Sequence, residues 1–142
     1  MKSMNVISRC QSTYRAKMLP GDLCPCHHSL ILSLCHHPGC SQDELAQDLC
    51  LNKSTVARAL SQLEEKNYVL RSPDPSDKRR IIVQPTEQML EVLPKVKEIA
   101  RRWNEEISAG IPEEELAVFR SVLLRMDENA RNLVQKGEDP EK

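Results

Sequence analysis

The feature that most constrains this chain is a change of hydrophobic period at Asn67. Before it, "KSTVARALSQLEEKN" carries Val56, Leu60 and Leu63 at helical steps behind an Asn52 cap. Just upstream, "SQDE" places Glu44 three residues after Ser41, a capping box in which each side chain satisfies the other residue's orphan backbone N–H. The helix it opens is short, with Leu45 and Leu49 inward and a turn by Leu51. After Asn67 the reading is extended: "YVLR" and "RRIIVQ" form two strands around Ser72, Pro73, Asp74, Pro75, Ser76 and Asp77, where two prolines exclude a helix. Two short helices joined by a tight turn, then a stiff hairpin, is a narrow specification.

The remaining chain reads as helix. Residues 6–19 form an amphipathic helix ended by Pro20 and Gly21, and 25–36 a central one begun by Pro25 and closed by Pro38-Gly39. Thr86 caps a long helix to about Ala109, with Leu90, Leu93, Val96, Ala100, Trp103 and Ile107 on its stripe. Gly110 and Pro112 break it, and a last helix over 113–135 carries Leu116, Phe119, Leu123, Met126, Ala130 and Leu133. The end, "KGEDPEK", is expected to fray. Hydrophobic residues make up 39% of the 142 and aromatics 3%, so the core must be aliphatic. That is too small a core to cover both terminal stripes. The heptad-like spacing therefore predicts a homodimer clasped by helices from both ends; a monomer with its two last helices packed on each other is the alternative. The expected fold is mostly α with a small β-hairpin wing. Residues 23–85 would contact DNA, while 1–22 and 86–142 would dimerise.

No apolar run reaches the roughly 18 residues of a membrane span, and "MKSMNVISRCQ" lacks a secretory signal. A cytoplasmic protein without a membrane partner is expected, its six cysteines reduced. The net charge of −1 argues against indiscriminate nucleic-acid coating, yet its distribution is uneven. Basic and acidic residues number four and four over 1–50, seven and four over 51–84, and nine and thirteen over 85–142. Only the middle stretch is net positive, which points to a confined anionic contact.

A helix-turn-helix followed by a basic hairpin is the winged-helix arrangement. A DNA major groove about 12 Å wide admits one helix. Asn52, Lys53, Ser54 and Thr55 supply its polar first turn, and Arg58 lies opposite Val56 and Leu60, with Gln62 near the same face. Ser41 and Gln42 begin the preceding helix, whose amides suit a phosphate. In the wing, Lys78, Arg79 and Arg80 would approach the minor groove, and Asp77 is expected to pair with the Arg79 guanidinium and orient it. Read alone, "DKRR" is most often a solvated turn; the order and spacing of both elements reverse that and favour DNA.

The segment from His37 to Glu87, "HPGCSQDELAQDLCLNKSTVARALSQLEEKNYVLRSPDPSDKRRIIVQPTE", resembles the DNA-binding core of the multiple-antibiotic-resistance regulator (MarR) family. That family's Asp-any-Arg wing motif falls on Asp77 and Arg79, followed by its Val and Thr at Val83 and Thr86. "EEELAVFRSVLLRMDEN" resembles the family's final helix. Departures are Cys40 for an aliphatic residue, Pro85 for leucine and Met89 for glycine. The resemblance implies a homodimeric winged-helix transcription regulator on pseudo-palindromic double-stranded DNA, usually a repressor of nearby genes. It also implies release by a small ligand, a metal or oxidation; no cofactor is required.

"CPCHHSLILSLCHHPGC" holds four cysteines and all four histidines. Cys24 and His28 stand one helical turn apart, and Cys26 in the first turn would have its thiolate stabilised by the helix dipole. These three are the candidates for metal or oxidant sensing. The alternative makes Cys35, Cys40 and Cys50 core fillers and leaves the histidines solvated. A thiol or metal enzyme using the 24–40 cluster is the other reading, but no third orienting residue is recognisable and no phosphate loop or zinc-protease motif exists.

Overall fold

Caps and breakers set the elements. The computed structural model describes residues 2–136. In chain order it contains α1 (Lys2–Met18), α2 (Pro25–His36), α3 (Gln42–Asp48), α4 (Lys53–Glu65), β1 (Val69–Pro73), β2 (Ile81–Pro85), α5 (Glu87–Ser108) and α6 (Glu113–Lys136). The expected fraying of the tail concerns residues outside that range, apart from Lys136.

Ser41 Oγ accepts from the Glu44 amide at 3.2 Å while the Ser41 amide donates to Glu44 Oε2 at 2.7 Å, completing the capping box. Asn52 Oδ1 accepts from the Thr55 amide at 2.8 Å and opens α4. Cys50, between α3 and α4, adopts a left-handed conformation (φ 52°), which is uncommon for a side-chain-bearing residue. That geometry lets the Leu51 amide reach the Ala46 carbonyl at 2.9 Å and reverse the chain. Asn67 (φ 60°) ends α4 in the same way, and asparagine tolerates the conformation better than most residues.

The strands pair antiparallel, Val69 opposite Pro85 and Arg71 opposite Val83. The hairpin is also tied to the entry of α3: the Gly39 amide donates to the Val83 carbonyl, the Val83 amide to the Cys40 carbonyl, and Ser41 forms a bridge with Ile82.

Two compact units divide the chain, one ending at Trp103 and the other beginning at Asn104. The first has an aliphatic core: Leu30, Ile31 and Leu34 of α2, Leu45 of α3, Val56, Leu60 and Leu63 of α4, Val69, Val83, Met89 and Val96. Within this unit Tyr14 and Trp103 stack at a tilt, their centroids 5.4 Å apart. The buried face of α5 is Met89, Val96 and Ile99, with Val92 and Leu93 packed against the core, whereas Leu90 and Ile107 are half exposed. The anticipated stripe is thus rotated toward Met89: both positions are apolar, and the sequence pattern could not choose between them. In the second unit no described residue of α6 is fully buried. Phe119, the only phenylalanine, is 58% exposed. Among the described residues no helix is long and apolar enough to cross a membrane.

Candidate nucleic-acid interface and thiol cluster

The first turn of α4 presents Lys53, Ser54 and Thr55 to solvent, with Arg58 exposed on the following turn. Val56, Ala59, Leu60 and Leu63 are buried behind them, so this polar face has a rigid backing. Lys53 Nζ lies 2.9 Å from Asp43 Oδ2, a solvent-exposed pair that an anion can replace at little cost. Ser54 Oγ donates to Asn52 Oδ1 at 2.9 Å, strengthening the cap.

The base of the wing is bolted to α4 by groups the sequence did not reveal. Arg71 donates through Nε and Nη2 to Glu64 Oε2 at 2.9 and 2.6 Å, and through Nη2 to Ser61 Oγ at 3.0 Å. Its backbone amide donates to Glu64 Oε1 at 3.1 Å. The Arg71 hydrogen bonds hold the Glu64 carboxyl below its ordinary pKa. No spacing rule couples a helix glutamate to an arginine beyond a left-handed turn, so only packing exposes the pair.

The tip is organised differently. Asp74 Oδ1 accepts from the Ser76 amide and hydroxyl, and the Arg80 amide donates to the Asp77 carbonyl. Asp77 Oδ1 accepts from the Arg79 backbone amide at 3.0 Å, not from its guanidinium. The expected Asp77–Arg79 ion pair is therefore corrected: a carboxylate two residues upstream is placed to close a short turn on the backbone. Lys78 and Arg79 are exposed. Arg80 Nη2 instead lies 2.9 Å from Glu44 Oε1, joining the wing to the capping box. The Glu44 carboxyl sits below its usual range chiefly through the Ser41 amide, then the Ser41 hydroxyl, with Arg80 contributing less.

Of the other proposed contacts, Ser41 is 3% exposed and its hydroxyl is spent on the cap, so it is removed from the accessible surface. Gln42 is half-buried. Gln62 is exposed, but its Oε1 turns back to His27 Nε2 at 3.0 Å.

That contact leads to the thiol cluster. Cys24, Cys26 and His27, rather than His28, bring their ligand atoms within 4.8 Å of one another. Cys24 Sγ is 3.5 Å from His27 Nδ1, which accepts from the Cys24 backbone amide at 3.2 Å. With Nδ1 accepting, Nε2 carries the proton and donates to Gln62. Residue spacing pairs Cys24 with His28, but at the start of α2 the cap geometry folds the N3 side chain, His27, back over Cys24. His28 points elsewhere: its Nε2 donates to the Val96 carbonyl of α5 at 3.2 Å, and its Nδ1 is buried without a hydrogen-bond partner among the described residues. Burial, then the nearby Arg15 charge, lowers the His28 pKa to about 4.

The solvated-histidine alternative fails for His27 and His28, both fully buried, and holds for His36 and His37. Cys35 and Cys40 pack half-buried on the core, whereas Cys50 is exposed and fills nothing. All six cysteines are free. The Cys26 thiol is pushed up, first by desolvation and then by the Cys24 hydrogen bond; these outweigh the backbone amides that lower it. The expected helix-stabilised thiolate is reversed. Gln62 is also the third orienting group that the sequence reading did not find beside a Cys–His pair.

A capped α4 backed by core, a hairpin anchored to it, and a tip bearing free cations match known architectures. The MarR family model matches residues 25–81. The crystal structure of a MarR transcriptional regulator from Methanosarcina mazei Go1 superposes with a TM-score of 0.87 at 26% identity, covering 93% of this chain and 96% of that one. The chain is similar to MarR-family transcriptional regulators, with the family's own model falling on residues 25–81. A Listeria monocytogenes structure assigned to the same family, complexed with 26mer DNA, has a TM-score of 0.90 at 19% identity over 99% and 95% of the two chains. A curated Thauera aromatica protein, named for regulation of the hcr operon, is 26% identical over 99 residues, 70% of this chain. The match spans about 60% of that relative's length.

Against the MarR pattern, Met89 in place of glycine fills the core at 0% exposure. Pro85 ends β2 opposite Val69, and Thr86 then accepts from the Met89 amide at 3.3 Å to start α5. The departures are thus absorbed at the wing-to-helix joint while the exposed cations keep their places.

Proposed function

We propose that this protein is a MarR-family, sequence-specific double-stranded DNA-binding regulator of transcription, acting as a homodimeric repressor of nearby genes. The observation that carries this reading is the joint presentation of the Lys53–Arg58 face and the Lys78–Arg79 tip from one framework, through Arg71–Glu64 and Arg80–Glu44. α4 would enter the major groove and the wing tip the adjacent minor groove, where narrow A·T-rich segments concentrate negative potential. The DNA complex of the Listeria relative supports the same use of the fold.

The apolar surface supports self-association. In the first unit Met4, Val6 and Ile7 of α1 are 45–48% exposed. In the second, Val118, Phe119, Leu124, Leu133 and Val134 of α6 are 58–72% exposed. A second copy would cover such faces, and its two-fold axis would match a pseudo-palindromic operator with half-sites about 34–36 Å apart. Release would come from a small ligand, a metal or an oxidant; the thiol cluster adjoining Gln62 supports the metal.

The deciding experiment is selection of bound fragments from the source genome, followed by a salt titration on the recovered site and light scattering of the free protein. A dimer with a steep salt dependence on one palindromic sequence is expected. A monomer, or equal affinity for all DNA, would overturn the reading.

A further inference from the structure

We infer that Cys24, Cys26 and His27 form a binding site for a thiophilic divalent cation, with Gln62 of α4 as the outer partner of the histidine. Zinc–thiolate and zinc–imidazole bonds of about 2.3 and 2.0–2.1 Å at tetrahedral angles put sulfur and nitrogen about 3.6 Å apart. Cys24 Sγ is 3.5 Å from His27 Nδ1 and 3.6 Å from Nε2, so the sulfur is within ligand spacing but stands over the ring rather than in line with the Nδ1 lone pair. All three ligand atoms fall within 4.8 Å, and closure on a metal needs the Cys24 side chain to turn about χ1 toward the plane of the His27 ring.

The tautomer favours the same arrangement. His27 Nδ1 is the unprotonated nitrogen and faces Cys24, while Nε2–H donates to Gln62 Oε1. A metal-bound histidine ordinarily hands its other N–H to an oxygen acceptor, which fixes the ring and raises its basicity. Here that acceptor comes from α4, 35 residues away in sequence. Binding at Nδ1 displaces the Cys24 amide from that lone pair, a local cost at the α2 cap. The metal also replaces a proton on each thiol, so its apparent affinity rises with pH. Cys26 is exposed, which leaves the fourth position open to water. The site itself is independent of the DNA reading. Its consequence rests on that reading: a metal on Nδ1 strengthens the Nε2–H donor and holds Gln62 against α2, away from a duplex.

The test uses the full-length protein, reduced and freed of metal, titrated with Co²⁺ and then Zn²⁺. A stoichiometric thiolate-to-Co²⁺ charge-transfer band, displaced by Zn²⁺, is expected. Cys24→Ser and Cys26→Ser should each abolish the band, while Cys10→Ser and Cys50→Ser retain it. Serine still caps α2, and Cys26 is exposed, so these variants should keep the wild-type melting profile. Gln62→Ala should weaken Zn²⁺ binding about 10–100-fold, and Gln62→Glu, which also accepts from Nε2–H, should restore it. No thiolate band in the wild type, or its persistence in Cys26→Ser, overturns the site. A Gln62→Ala affinity equal to wild type overturns the outer-partner role. The DNA coupling is read separately: Zn²⁺ should weaken operator binding in wild type but not in Cys26→Ser, and equal operator affinity with and without Zn²⁺ overturns the coupling alone.

Discussion

Arg71 and Arg79 belong to one hairpin and meet opposite fates. At the base, Arg71 is held by Glu64 and Ser61 with its side chain 23% exposed. At the tip, Arg79 is exposed and its neighbouring carboxylate serves only the backbone. The difference separates two jobs that a cluster of basic residues can do. A paired guanidinium fixes the wing relative to α4; an unpaired one retains its charge for an external anion. Arg80 is intermediate, exposed yet directed to Glu44.

The largest expected effect concerns the packed body behind the base. His28 is fully buried, with its pKa lowered to about 4 against an ordinary value near 6.5. The unfolded chain therefore binds more protons between those values. The stability His28 secures is complete above about pH 6.5 and is lost as pH falls toward 4, by on the order of 3 kcal/mol. Urea unfolding across that window should show the loss, and His28→Gln should flatten it. A parallel pH profile in that variant would assign the acid sensitivity elsewhere.

At the base itself, Glu64→Ala removes the acceptor of two Arg71 side-chain bonds and one backbone bond. It should lower unfolding stability by roughly 1–3 kcal/mol and weaken DNA binding by misplacing the wing. Unfolding and binding titrations that both match wild type would erase the distinction between base and tip. On the reading face, Arg58→Ala should keep stability within about 0.5 kcal/mol and relax preference at one base position per half-site by roughly 1–3 kcal/mol. An equal loss on every sequence would make Arg58 a backbone contact. The smallest effect is at the tip: Arg79→Ala should leave folding unchanged and reduce the logarithmic salt slope by about 0.9 per lost phosphate contact. An unaltered slope would remove the tip from the interface.

Much of the fold was readable from local pattern. Pro25, Ser41, Asn52 and Thr86 each stand beside the helix start they announce, and the change of period after Asn67 predicts the hairpin. The pattern was weaker where two apolar residues are adjacent. It named Leu90 for the α5 stripe, whereas Met89 is the one buried. For the interface, the exposure of Lys53, Thr55, Arg58, Lys78 and Arg79 agrees with helical phase and turn composition. Ser41 stands at the helix start it announces, but its 3% exposure and the use of both its hydroxyl and its amide in the cap come from packing and geometry.

What the sequence determined by itself is therefore what depends on neighbours a few residues away: caps, turns, the helical and extended periods, and a basic stretch after a helix-turn-helix. Tertiary structure alone decided that Arg71 grips Glu64, that His27 rather than His28 joins the cysteines, and that Gln62 reaches back to it. Caps and periods arise from backbone geometry repeated every few residues. Side-chain partnerships across elements depend on how helices pack, and a rotation of about 100° around the helix axis exchanges one histidine for the next.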